Sequence, residues 1–211
     1  MVNAAQSRLP LIYSGRVRNA LQLAERLHRG MSRKSGDHPY LLHLVAVATV
    51  LSAVGADDDL LCAAYLHDAV EDTDYSLLEI EDEFGQRVAS LVAAVSEPRQ
   101  SADGSLLSRE EKADHVLATM ETAEIGVVAL KAADLIANAS DLVLDQRQQG
   151  FEHWEAMFGD RVDAKISYYL ELGAILDRRL SESGRYPPLV GYLRERTGQL
   201  NALHETWESR S

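Results

Sequence analysis

One cysteine, Cys62, is too few for a disulfide framework, and a reducing cytoplasm is the expected compartment. Cys62 lies among apolar residues and is expected as a small buried core side chain. Basic residues are also in short supply. Against 33 Asp and Glu the chain sets 21 Lys and Arg, a formal charge of −12 that repels phosphate backbones, so nucleic acid is not an expected partner. The apolar run from Leu41 to Leu51 is interrupted by His43 and too short to cross a bilayer. The N-terminus lacks a basic stretch followed by a long apolar core. A soluble, cytoplasmic protein without a membrane partner is expected. Repeats, low-complexity tracts and a glycine-rich phosphate loop are missing too, which argues against kinase-like and dinucleotide-binding folds.

Helical periodicity fills the chain instead. Val17, Ala20, Leu21, Ala24 and Leu27 recur at spacings of three and four, a stripe that stops near Gly30. A polar loop, Arg33 to His38, precedes Pro39 and a segment from Tyr40 to Val54 that is apolar on nearly every side, as a central helix would be. Asp57, Asp58 and Asp59 favour the positive end of a helix expected to run through His67 and Asp68 to about Asp72. Ser76 with Glu79, and Ser108 with Glu111, have capping-box spacing. Glu97 to Ser105 reads as a loop, Ile125 to Leu144 as a helix, and Trp154 to Leu180 as one long helix broken by the residues SESGRYPP. Alternating strand-like segments are scarce. The expectation is an all-α helical bundle over residues 1–185, followed by a C-terminal helical tail over 186–211.

Several polar residues interrupt the apolar helices. The stretch YLHDAVEDTD, residues 65–74, leads from an apolar run into one imidazole and four carboxylates. On a regular helix His67 lies over Glu71 and Asp68 over Asp72. Buried carboxylates must be paired, protonated or bound to metal. His43 stands within Leu41-Leu42-His43-Leu44-Val45, and Asp134 within an apolar run with Asn138 one turn on. Singly, each has an ordinary explanation as a hydrogen-bonded core residue, a cap or an ion-pair partner. Together His43, His67, Asp68 and Asp134 form a set of two imidazoles and two carboxylates suited to Mn²⁺, Fe²⁺ or Zn²⁺ with positions open for water and substrate. The absence of thiolates argues against a closed structural zinc.

These segments resemble the HD-domain superfamily of metal phosphohydrolases, and within it the RelA/SpoT-type alarmone hydrolases. The resemblance is carried by RKSGDHPYLLH (33–43), AAYLHDAVEDT (63–73), FGQRVASLVAAVS (84–96) and LKAADLIANASDL (130–142). It implies an HD-domain helical bundle with a metal site in its core, similar to small hydrolase-only members such as the metazoan SpoT homologue. It also implies Mn²⁺ held by His43, His67, Asp68 and Asp134, with Glu71 and Asp72 orienting and deprotonating the attacking water. Arg33 and Lys34 would contact base and phosphates, and Asn138 the ribose. The implied reaction releases pyrophosphate from guanosine 3′,5′-bis(diphosphate). Alternatives are a broader HD nucleotide phosphohydrolase, acting for example on the 2′-phosphate of NADPH, and a catalytically idle nucleotide sensor.

The chain departs from the family pattern at four places. Arg33 is one residue further from Pro39 than in the common arrangement, and Leu135, Ala137 and Ser140 stand where larger or basic residues are usual. No expected metal ligand is lost. The departures bear on which nucleotide is taken rather than on hydrolysis, and nothing in the sequence specifies an oligomeric state.

Overall fold

The computed structural model describes residues 14–33, 38–98, 100 and 104–210. Eleven α-helices and one 3-10 turn make up the described residues, with no strand beyond two isolated bridges. The all-α expectation holds.

Four helices start where a short polar side chain satisfies one of the first free N–H groups. Helix α1 (Gly15–Leu27) is capped by Ser14 and α3 (Asp58–Leu66) by Asp57, whose Oδ1 accepts from Leu60 N–H at 2.9 Å. Both capping boxes form: Ser76 with Glu79 opens α5 (Leu77–Phe84), and Ser108 with Glu111 opens α7 (Arg109–Thr122). Between these lie α2 (Leu41–Ala53), the single turn α4 (Ala69–Asp72) and α6 (Gln86–Val95).

The long helix α8 (Ile125–Gln149) is the axis of the bundle. It packs on α2, α3 and α6, and also on α9 (Phe151–Phe158), α10 (Val162–Ser183) and α11 (Pro187–Glu208). Most of its residues are buried, so the carboxylate of Asp134 enters the interior with them. Cys62 is fully buried on α3, and burial pushes its thiol up to about 11, in keeping with an inert core role.

Two expected helices are broken. Trp154 to Leu180 is interrupted by Gly159, whose φ of +59° suits a residue without Cβ, and by the 3-10 turn Gly159–Arg161. The break frees Trp154, fully buried on α9, to donate its indole N–H to the Leu142 carbonyl. The second break falls at His67 and Asp68: α3 stops at Leu66 and α4 begins at Ala69. Asp68 has ψ near −4°, and the His67 ring bonds the Ala64 carbonyl. Adjacent residues of a regular helix do not face one another. This turn brings His67 Nε2 to 3.2 Å from Asp68 Oδ1.

Helix α11 covers the segment expected as a tail. Its Leu189, Leu193 and Leu200 are fully buried in the same core as the rest of the bundle. Gly173 on α10 permits close approach of α11, because a Cβ there would lie 2.7 Å from Thr197 Cγ2.

Candidate metal centre

Two helices and one turn deliver the site. His43 comes from the first turns of α2, His67 and Asp68 from the break after α3, and Asp134 from the middle of α8. His43, His67 and Asp134 are buried and offer ligand atoms within 4.8 Å of one another. His43 Nε2 lies 3.3 Å from Asp134 Oδ1, and His67 Nε2 lies 3.9 Å from the same oxygen. The Asp68 carboxylate borders this trio, 3.2 Å from His67 Nε2 and 3.7 Å from His43 Nε2. All four expected ligands therefore meet at one place.

The donor atoms fit a divalent cation. His67 Nδ1 is 2.8 Å from the Ala64 carbonyl, which can only accept, so in the neutral ring Nε2 carries the lone pair. That Nε2 is buried and has no hydrogen-bond partner. An orphaned imidazole nitrogen between two carboxylates is costly without a cation.

A row of polar residues runs along one face of α8 at helical spacing: Lys131, Asp134, Asn138 and Asp141. Lys131 Nζ is 3.0 Å from Asp134 Oδ2, and Asn138 Nδ2 donates to Asp134 Oδ1 at 2.5 Å. Burial pushes the Asp134 carboxyl up, but the Lys131 ammonium and the two imidazoles outweigh it and hold it well below the usual range. For Lys131 burial acts downward, and Asp134, Tyr168 and Glu71 outweigh it, so the ammonium stays charged.

The expected substrate arginine is bound into this row. Arg33 Nη2 donates to Asn138 Oδ1 at 2.6 Å and reaches Asp141 Oδ2 at 3.1 Å. Its backbone N–H bonds the His38 carbonyl while Tyr40 N–H bonds Met31, closing the loop at its base. Lys34 lies outside the described residues. Glu71 is partly buried, and its Oε1 accepts from Glu97 N–H at 2.7 Å. Burial pushes its carboxyl up to about 7, against the Glu97 N–H and with help from Asp68. Asp72, at the end of α4, is exposed. The carboxylates thus grade from buried Asp134 through half-buried Asp68 and Glu71 to exposed Asp72.

Three participants escaped the sequence reading. Tyr40 donates its hydroxyl to Asp68 Oδ2 at 2.6 Å. Lys131 and Asp141 extend the row of Asp134 and Asn138, a signal that was present in the spacing. The departures at Leu135 and Ala137 are buried, 1% and 6% exposed. Among the described residues no helix is long and apolar enough to cross a membrane.

A helical bundle with two imidazoles and two carboxylates around one buried point has the form of a divalent-metal site with hydrolytic capacity. The family model for the HD domain matches residues 20–157, and the chain belongs to that family. A protein named GTP pyrophosphokinase from Streptomyces coelicolor is 39% identical over 122 residues, 58% of this chain and 14% of that one. A guanosine-3′,5′-bis(diphosphate) 3′-pyrophosphohydrolase from Aquifex aeolicus is 35% identical over 130 residues, 60% of this chain and 18% of that one. The chain thus spans less than a fifth of these relatives. A solved structure described as "A metazoan ortholog of SpoT hydrolyzes ppGpp and plays a role in starvation responses" superposes with a TM-score of 0.72 at 28% identity. That match covers 88% of this chain and 96% of that one.

Proposed function

We propose that this protein is a Mn²⁺-dependent guanosine-3′,5′-bis(diphosphate) 3′-pyrophosphohydrolase of the cytoplasm, with the nucleotide as its small-molecule partner. One observation carries the reading: the buried His43, His67 and Asp134 converge with Asp68, while two further carboxylates stand on the next turn. Similarity to the Aquifex hydrolase and to the metazoan SpoT ortholog over nearly its full length supports it.

His43, His67, Asp68 and Asp134 would hold the ion, which when bound supplies Lewis acidity to a phosphoryl oxygen and to a water. Glu71, steadied by the Glu97 N–H, orients the attacking water, and Asp72 at the open side takes its proton. The water oxygen bonds to the phosphorus attached at the ribose 3′-oxygen. The bond from that oxygen to phosphorus breaks, releasing pyrophosphate and leaving GDP or GTP. Arg33, with Lys34, binds the anionic nucleotide and Asn138 the ribose. The positive charge of Arg33 and Lys34 offsets a surface that is acidic overall.

A substrate panel tests this reading. With Mn²⁺, the protein should release pyrophosphate from guanosine tetra- and pentaphosphate. Orthophosphate from NADPH with no turnover of either guanosine compound would overturn the choice of substrate. Nucleotide binding without turnover across several divalent ions would point to a sensor instead.

A further inference from the structure

Tyr40 touches both halves of the site. Its hydroxyl donates to Asp68 Oδ2 at 2.6 Å, with the Asp72 carboxylate beside it. Its ring stacks on His28 at 5.0 Å between centroids and 6° between planes, and the Arg33 guanidinium carbon lies 5.5 Å from its centroid. The ring is anchored from behind. His28 is buried and held by Nδ1 to the Ala24 carbonyl at 3.0 Å, and Tyr40 N–H donates to Met31 at 2.9 Å.

A carboxylate's terminal torsion is broad unless something holds it. With Oδ2 of Asp68 tied to Tyr40, Oδ1 is left facing His67 Nε2 at 3.2 Å, the side on which a cation would be shared. Hydrogen-bond partners of ligating groups set ligand orientation, and losing one typically costs metal affinity or activity. On the other side, a cation over an aromatic face within about 6 Å is held there. Arg33 also bonds Asn138, so the ring supports the pair assigned to the nucleotide.

We propose that Tyr40 is a positioning residue joining the two halves of the site: its hydroxyl orients Asp68 for a divalent cation, and its ring face holds Arg33 for the nucleotide. The second half rests on the hydrolase reading above; the first does not.

Two variants and two measurements separate the parts. Mn²⁺ binding is measured by electron paramagnetic resonance titration of metal-free protein, and steady-state kinetics use guanosine tetraphosphate. Tyr40→Phe, which removes one oxygen, should weaken Mn²⁺ binding by about 10- to 100-fold with KM for the nucleotide unchanged. Tyr40→Leu should show the same metal loss and raise KM by about two- to fivefold, because the ring is gone. Wild-type Mn²⁺ affinity in Tyr40→Phe overturns the metal half. An equal rise of KM in both variants overturns the assignment of Arg33 to the ring face. If wild-type protein binds Mn²⁺ but does not turn the nucleotide over, the hydrolase reading and the Arg33 half fail together. The titration of Tyr40→Phe then still decides the metal half.

Discussion

Lys131→Met tests whether a cation belongs beside Asp134. Methionine keeps the length of the side chain and removes its charge. In the native protein Lys131 Nζ lies 3.0 Å from Asp134 Oδ2, with the two side chains only 12% and 11% exposed. Removing one partner of a buried ion pair costs about 3–5 kcal/mol, because the other charge is left uncompensated. Asp134 keeps Asn138 Nδ2 at 2.5 Å and His43 Nε2 at 3.3 Å, so part of its charge remains solvated by the protein. A loss of about 2–3 kcal/mol follows, which in a domain of this length lowers the melting temperature by roughly 5–10 °C. A divalent ion held by Asp134 would replace the missing positive charge. The gap between variant and wild type should therefore shrink markedly when excess Mn²⁺ replaces chelator in the melting buffer. Equal melting temperatures in chelator, or a gap that Mn²⁺ leaves untouched, would refute the reasoning.

Glu71 supplies a pH dependence. Its folded carboxyl titrates near 7 against an ordinary 4.5, so the folded state keeps a proton that the unfolded chain gives up first. That stability is complete below about pH 4.5 and is lost as pH rises through 7. Metal-free wild type should lose on the order of 1–2 kcal/mol relative to Glu71→Gln between pH 5 and 8, allowing for partial exposure; parallel urea-derived pH profiles would contradict this. Leu193→Ala, at a fully buried position of α11, should cost about 2–4 kcal/mol in denaturant unfolding, whereas a detached tail would tolerate it. Gly173→Ala should cost about 1–3 kcal/mol by crowding Thr197 Cγ2, and Thr197→Ser, which deletes that methyl, should recover much of it; simple additivity of the two changes would argue against the contact.

The elements most legible in the sequence were those governed by local chemistry. Ser76 with Glu79 and Ser108 with Glu111 announce two helix starts because the capping partners lie three residues apart. The four expected ligands were legible because a charged or imidazole side chain within an apolar helix needs a reason to be there. What sequence did not show was set by distant partners. The helix break at His67 and Asp68 places two adjacent side chains on one point, which helical periodicity alone forbids. Tyr40 looked like the residue after a loop proline, and only the fold brings its hydroxyl to Asp68, 28 positions away. Trp154 to Leu180 has helical patterning on both sides of Gly159, so periodicity runs across the break, which shows only in the positive φ of Gly159 and the 3-10 turn that follows. Lys131 and Asp141 are a different case. Their spacing from Asp134 and Asn138 made the polar face of α8 readable, but ordinary charged residues on a helix draw no attention until the helix is known to be buried.

The most direct test of the account is pyrophosphate release from guanosine tetraphosphate by the wild-type and Asp72→Asn proteins, each with added Mn²⁺ and each with chelator. Release should occur with wild-type protein and Mn²⁺ alone, and fall to background in chelator and in Asp72→Asn. Robust release from the variant would contradict the role given to Asp72, and robust release in chelator would contradict the metal centre itself.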